Sequence, residues 1–452
     1  MEIKLTLLKY FLQKKLILNK RITLKMKKWI LVLSILLASI IIYTQTTPEK
    51  PELKINKNEK IVRIAVINPQ YTSSPPWVDY TTITQLIQQD IDNYCNQNSI
   101  DWQFNFNLYD SKDDPDERVE WMNQNGYHYV IGLRSTSECD QWTYYQRENG
   151  ITDILLMSTG STVATFNGKF EGHELLFRTH TPDDVTMRVY ANYAYKLGIT
   201  DFISIKSTMH ENYDAIYFEE EFSTLGGNIH NISIDIRNVD WKDVIEVASE
   251  KMDAINGTVA ILFTVLHDSE VDIFTIMEDF PNLSDVEWFM PNNMYLISGK
   301  DETLRKHNKT IHNIGLYGIR PVFENNTEYR LLDQRYMDAT KQNELPSGRG
   351  LEYSAGLAYD SAWLLVLSVI EANSSDPRIV ADMLMGSEEF SGVTGPLSFN
   401  PLGDRVTSQY IFTKLDLIDD ALEQLKIGSY DCNNGIISFE EQPIIIIMNQ
   451  PL

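Results

Sequence analysis

Two turns concentrate the side chains that could do chemistry. "ILLMSTGSTVATFNG" (154–168) sets Ser158, Thr159, Ser161 and Thr162 around Gly160, directly after an apolar run. "RSTSECDQW" (134–142) sets Ser135, Thr136 and Ser137 after another. Hydroxyls in such turns serve as nucleophiles, cradle phosphates, or grip other anions. A nucleophile elbow needs Gly-x-Ser-x-Gly with a positioned histidine. Here the order is Ser-Thr-Gly-Ser-Thr-Val, and the eight histidines are scattered without a partner motif. A phosphate loop needs Gly-x4-Gly-Lys-Ser/Thr, whereas Gly168-Lys169 comes late and is followed by Phe170. Cys95, Cys139 and Cys432 have neither zinc spacing nor a CxxC pair, though outside the cell they allow one disulfide and a spare thiol. These patterns imply no catalytic residue, no metal and no cofactor. What remains is anion binding without chemistry, by hydroxyls and backbone amides beside a helix N-terminus. Each turn alone is better explained by helix capping and turn filling. As a pair at equivalent positions on successive strands, they favour binding.

The elements that must position these turns alternate regularly. "IVRIAVI" (61–67) reads as a buried strand, and "TTITQLIQQDIDNYCNQN" places Ile83, Leu86, Ile87 and Ile91 at helical spacing. "WQFNFNLYD", "HYVIGLR" and "DILLMS" continue as strands, separated by helices over "DPDERVEWMNQNG" and "CDQWTYYQRENG". After "LLFRTHTPDD" the same grammar restarts, with strands "DFISIK", "IHNISID", "VAILFTV", "EWFMPN" and "NIGLYGI" between helices. The long helix "SAGLAYDSAWLLVLSVIEAN" and the helix "PRIVADMLMGS" follow, then a turn-rich tail that looks antiparallel. Such repetition makes an α/β fold of two doubly wound parallel halves, with a cleft between the carboxyl ends of their strands.

Charge and the first residues bound the setting. The chain has 452 residues and a formal charge of −24. Residues 1–28 hold nine of the basic residues and one acid, leaving 30 basic and 62 acidic residues from Trp29 onward. A body that acidic repels nucleic-acid phosphates, so no nucleic-acid partner is expected. Lys27 and Lys28 precede an apolar run from Trp29 to Tyr43, the layout of a signal anchor or signal peptide. Without a small-x-small cleavage site beyond the weak Thr44-Gln45-Thr46, an uncleaved anchor is the favoured reading, and Met26 rivals Met1 as the start. No later segment reads as a membrane span. Residues 46–60 are charged and Pro-containing, a linker. Six Asn-x-Ser/Thr sequons, from Asn231 to Asn373, are compatible with an external location.

From about residue 61 to 420 the chain resembles the type I periplasmic binding proteins of the branched-chain amino-acid (Leu/Ile/Val) class. The same fold forms the ligand domain of natriuretic-peptide and metabotropic glutamate receptors. The resemblance is carried by "YVIGLRSTSE", "ILLMSTGSTVATF…LLFRTHTPDD", "FEEEFSTLGGNI", "GLAYDSAWLLVLSVIEAN" and "GVTGPLSFNPLGDR", in family order and spacing. It implies two Rossmann-like lobes joined by a multi-strand hinge, preceded by an N-terminal anchor or signal helix. The implied division is tail 1–25, anchor 26–45, linker 46–60, lobe one 61–180 with 317–395, and lobe two 181–316 with 396–452. By resemblance Ser137, with Ser135 beside it, bonds a solute carboxylate. Ser161 and Thr162 supply a backbone carbonyl and a hydroxyl, and Tyr71 or Trp77 covers the solute's side chain. His210 falls where the class has a lobe-two Tyr, with Tyr213 near enough to replace it. The class's acidic ammonium partner falls at Asn292–Asn293, which are neutral and raise the chance of an amide, a urea-like solute or a modified amino acid. Asp360 is a substitute cation partner or a structural residue. The resemblance implies an ABC-importer component that works with a permease and an ATPase at the extracytoplasmic membrane face. The alternatives are secretion after cleavage, or an extracellular sensor signalling through a partner.

Overall fold

A computed structural model describes residues 60–68, 80–110, 115–151, 153–163, 175–208, 213–265, 270–284, 286–291, 307–322, 327–340, 351, 353–386, 389–407, 409–418 and 421–446. The expected N-terminal tail, anchor and linker lie outside these residues.

The first sheet contains β1 (Ile61–Asn68), β2 (Gln103–Asp110), β3 (Tyr129–Leu133), β4 (Leu155–Ser158) and β5 (Leu176–Arg178), in the order β2-β1-β3-β4-β5. All its pairings are parallel. Strand alternation divides its apolar side chains between two cores. Val62, Ile64, Val66, Tyr129, Ile131, Leu155 and Met157 face one, where α1 (Tyr80–Gln97), α11 (Tyr353–Ala372) and α12 (Pro377–Gly386) pack. Ala65, Ile67, Val130, Leu133 and Leu156 face the other, against α2 (Pro115–Gln124) and α3 (Thr136–Asn149). By length and hydropathy α11 could cross a membrane. Its residues instead build the first core, which corrects the expectation that no late segment has that composition.

The second sheet has the order β15-β14-β13-β10-β9-β8-β6-β7. Its parallel part is β6 (Asp201–Ser207), β7 (Asn228–Ile234), β8 (Val259–Phe263), β9 (Trp288–Phe289) and β10 (Tyr317–Pro321). One face meets α4 (Asp183–Lys196) and α5 (Tyr213–Thr224) through Tyr190, Tyr193, Phe202, Phe218 and Phe222. The other meets α6 (Trp241–Ala254), α7 (Glu270–Met277), α8 (Pro281–Ser284) and α9 (Asn308–Ile314). The turn-rich tail becomes three long antiparallel strands, β13 (Gln409–Ile418), β14 (Ala421–Asp431) and β15 (Ile436–Ile446), added beside β10. In "NIGLYGI" the strand begins only at Tyr317, because Gly315 takes a left-handed φ of 50° and ends α9 there.

The chain passes between the sheets three times. It leaves β5 for α4, leaves β10 for α10 (Thr327–Ala339), whose Leu332 and Tyr336 join the first core, and returns into β13 after the hairpin β11 (Phe390–Gly392) and β12 (Gly395–Leu397). Because β10 pairs with β9 and β13, residues 317–321 belong to the second sheet, and the second passage follows Pro321. The three cysteines are free thiols, with Cys95, Cys139 and Cys432 packed in or against three different cores.

Candidate solute-binding site and hinge

The order β2-β1-β3-β4-β5 reverses direction between β1 and β3, and ligands of open α/β sheets bind outside the carboxyl ends at such a point. The turn after β3 therefore lies at the expected place. Ser135 caps α3: its Oγ accepts from Glu138 N at 3.0 Å, and Glu138 Oε2 accepts from Arg134 N at 2.9 Å and Ser135 N at 3.3 Å. Ser137, two residues on, is exposed, and no described residue partners its hydroxyl or its amide. Thr136 Oγ1 lies 3.3 Å from Ser161 Oγ, which joins this turn to the one after β4.

The turn after β4 is held from below. Ser158 Oγ donates to Leu133 O at 2.8 Å and accepts from Ser161 N at 3.0 Å, and Thr159 N donates to Leu133 O at 2.9 Å. Gly160 is required because a Cβ there would sit 2.3 Å from Arg134 O. The two turns can touch only if this residue has no side chain. Ser161 is buried and Thr162 half-buried. The carbonyls that follow are already used: Thr162 O accepts from Asp183 N at 2.8 Å, and Val163 O from Arg178 Nη1 at 2.6 Å. Thr162 O is thus spent on a bond into the first interlobe passage, leaving its hydroxyl on offer. Burial pushes the Cys139 thiol beneath these turns up to about 12, so it stays protonated and unreactive.

Arg178 and Asp404 form a buried ion pair, with Nε 2.5 Å from Oδ1, and their strands bridge through Arg178 N to Gly403 O and Arg405 N to Arg178 O. Arg405 spends its guanidinium on Thr179 O, Thr394 Oγ1, Thr394 O and Pro396 O, at 2.9–3.3 Å. Thr181 and Thr407 share a hydroxyl–hydroxyl bond between the first and third passages. These bonds clamp the first and third passages together at the hinge.

Asp360 belongs to that clamp. It is fully enclosed, and its carboxylate accepts from Val393 N at 2.7 Å, Thr394 N at 2.9 Å and Thr394 Oγ1 at 2.6 Å. A Cβ on Gly392 would lie 2.5 Å from that carboxylate, which explains the glycine opening "GVTG". These bonds support the structural reading of Asp360, since both of its carboxylate oxygens accept from the β11–β12 turn. Burial raises its pKa to about 6 against the opposing pull of Thr394 and Arg405.

His180, between Thr179 and Thr181, was not singled out by the sequence. Its Nδ1 lies 3.0 Å from Thr181 O, and its ring meets Tyr353 edge-on at 5.6 Å. Burial lowers its pKa to about 4, with the Arg405 and Arg178 charges adding to the shift, so the imidazole is neutral and Nε2 is left as an acceptor. Its only signal in the sequence was its place directly after the Arg-Thr pair that follows the apolar "LLF". Tyr213 opens α5 in the second lobe. Tyr71, Trp77, His210, Asn292 and Asn293 lie outside the described residues.

The family described as "Receptor family ligand binding region" matches residues 85–416. No curated protein sequence matches the chain. Among solved structures, an ABC transporter substrate-binding protein from Desulfitobacterium hafniense in complex with Leu is 16% identical, with a TM-score of 0.60 over 81% of this chain and 100% of that one. A solute-binding protein of an ABC transporter from Rhodopseudomonas palustris, in complex with 3,4-dihydroxybenzoic acid, is 14% identical, with a TM-score of 0.56 over 82% and 98%. A branched-chain amino acid transporter substrate-binding protein from Streptococcus pneumoniae, in complex with isoleucine, is 16% identical, with a TM-score of 0.55 over 85% and 99%. The fold is that of the type I periplasmic binding proteins. With most of its length inside the family match, the chain belongs to the receptor family ligand-binding region family.

Proposed function

We propose that the chain is the extracytoplasmic solute-binding component of an ABC importer, holding an amino acid or similar small polar solute between two lobes that close at the clamped hinge. The supporting observation is the joining of two hydroxyl-rich turns, Thr136 Oγ1 to Ser161 Oγ at 3.3 Å, at the N-terminus of α3. The hydroxyls of Ser137 and Thr162 are unpartnered among the described residues there. Such a surface suits a carboxylate, an amide or a urea-like group, and among the described residues it contains no nucleophile–base pair, so no reaction is assigned to it. Ser135 acts by fixing α3, and Ser137, Ser161 and Thr162 meet the solute. Tyr71 or Trp77 would cover the solute's side chain, and His210 or Tyr213, with the neutral Asn292 and Asn293, would meet it from the second lobe. A permease and an ATPase would read the closed form, and residues 26–45 would anchor the chain at the outer membrane face.

The family description favours a second reading, a ligand-sensing receptor module that signals through a partner. Melting the full chain with leucine, asparagine, urea and 4-hydroxybenzoate tests solute binding itself. A bound solute at a hundredfold excess over its Kd stabilises the fold by about 2.7 kcal/mol. Solute screens that never move the melting temperature would remove both readings. Copurification with a permease or with a signalling protein separates them.

A further inference from the structure

Three arginines stand at or beside the hinge, and two are saturated. Arg178 holds Asp404 and Val163 O, and Arg405 holds four oxygens. Arg320 is different. No described residue forms an ion pair or hydrogen bond with its guanidinium, and its Nε is sealed from solvent without a partner. The side chain as a whole is half-buried. A cation in such a place is expensive, and native proteins almost always pair it. Burial alone lowers its pKa to about 10, so it remains charged at neutral pH.

Its position gives the charge a use. Arg320 is the penultimate residue of β10, opposite Ile411 of β13. Alternation sets it on the same face as Leu316, away from Tyr317 and Ile319. Ile319 N reaches Pro291 O at 3.3 Å, where the chain leaves β9, and Val322 N reaches Gln409 O at 2.9 Å, at the third passage. Arg320 therefore sits on the carboxyl edge of the second sheet, beside the hinge. The carboxyl edge of the first sheet offers the α3 N-terminus and its hydroxyls, which also seek an anion. Two acids, Asp183 and Asp184, lie in the first turn of α4, where the partial positive charge of the helix N-terminus favours them, although Asp184 Oδ1 is buried with no hydrogen-bond partner among the described residues.

We propose that the solute carries two anionic groups, in the simplest case a small dicarboxylate, with one carboxylate at the α3 N-terminus and the other on Arg320. The inference rests on the solute-binding reading and specifies its substrate class. A carboxylate matches a guanidinium in two parallel hydrogen bonds, and the pair forms in the closed cleft, where water screens it least. The acidic body of the protein repels anions at long range, so a local cation is what would admit one.

The test uses the full chain in detergent and its Arg320→Met and Arg320→Lys variants, melted with succinate, glutarate and adipate, and with butyrate, leucine and 4-hydroxybenzoate as controls. In wild type at least one diacid should raise the melting temperature more than butyrate does, and the rise should shrink with added salt. Arg320→Met should weaken that diacid about thirtyfold or more, and Arg320→Lys should weaken it less. Without solute, Arg320→Met should melt no lower than wild type, because it removes a half-buried charge that no described residue pairs. The proposal is overturned if solute-free Arg320→Met melts lower, if diacids act equally on wild type and Arg320→Met, or if no diacid acts on wild type. Leucine or 4-hydroxybenzoate stabilising wild type and Arg320→Met alike would overturn it while leaving the solute-binding reading intact.

Discussion

Asp360 and His180 flank the same hinge and titrate in opposite senses, so replacing either one should expose the other. Asp360 is a carboxyl whose folded pKa is raised to about 6 by burial, from an ordinary value of 3.8. Between these values the folded chain binds the extra proton, so this group makes the fold more stable as pH falls. The full effect is about 3 kcal/mol, from roughly two pH units at 1.36 kcal/mol each. His180 runs the other way. Its folded pKa is lowered from 6.5 to about 4, so the unfolded chain binds the extra proton. It therefore makes the fold less stable as pH falls through that window, by at most about 3 kcal/mol because the ring is only partly enclosed.

The two contributions nearly cancel in the native protein. Asp360→Asn should leave His180 unopposed, so stability lost between pH 7 and pH 4.5 should exceed the wild-type loss by about 2–3 kcal/mol. His180→Asn should leave Asp360 unopposed and shift the difference by a similar amount toward greater acid stability. Urea unfolding at pH 7, 5.5 and 4.5 reads both, provided the slope with denaturant stays constant among variants. If each variant keeps the wild-type pH dependence to within about 0.5 kcal/mol, the account of the hinge as two oppositely perturbed groups is wrong. Asp360→Asn also places an amide N–H where Val393 N, Thr394 N or Thr394 Oγ1 must find an acceptor. It should cost about 1–3 kcal/mol at pH 7 with no solute present, which a pure solute-contact role for Asp360 would not produce.

Two further perturbations test the clamp and the turns. Gly160→Ala drives a Cβ to 2.3 Å from Arg134 O, and since that obstacle is backbone, denaturation should show a loss of about 2 kcal/mol or more. Arg178→Met strands the buried Asp404 carboxylate and should cost about 3–5 kcal/mol, whereas the double change Arg178→Met with Asp404→Leu should recover most of that loss. A double-mutant cycle on unfolding free energies checks it, and additive losses would contradict a coupled pair.

The residues that made the fold legible are mostly the ones that build this hinge. "GVTGPLSFNPLGDR" stands out because Gly392 must clear Asp360, Asp404 must meet Arg178, and Arg405 must reach Thr394 and Pro396. "GLAYDSAW" stands out because Tyr359 reaches Asp90 at 2.7 Å while Asp360 closes the β11–β12 turn. The strand–helix alternation was legible for a local reason, since apolar runs of four to eight residues need no knowledge of their neighbours. Non-local features were less so. The start of the β10 strand was read four residues too early, and its place between β9 and β13 depends on a partner some ninety residues away. That pairing turns the Arg of "GIRPV" from an ordinary strand residue into a half-buried charge inside an eight-stranded sheet. Solute specificity is hard to read for the same reason. On the proposed function, the turns after β3 and β4 would announce a grip for an anion through local composition, whereas the opposing group would be selected by which strand ends the fold brings to the hinge. A sequence can keep every residue of the clamp and exchange one strand-end residue of the second lobe, and the fold would be the same while the solute changed.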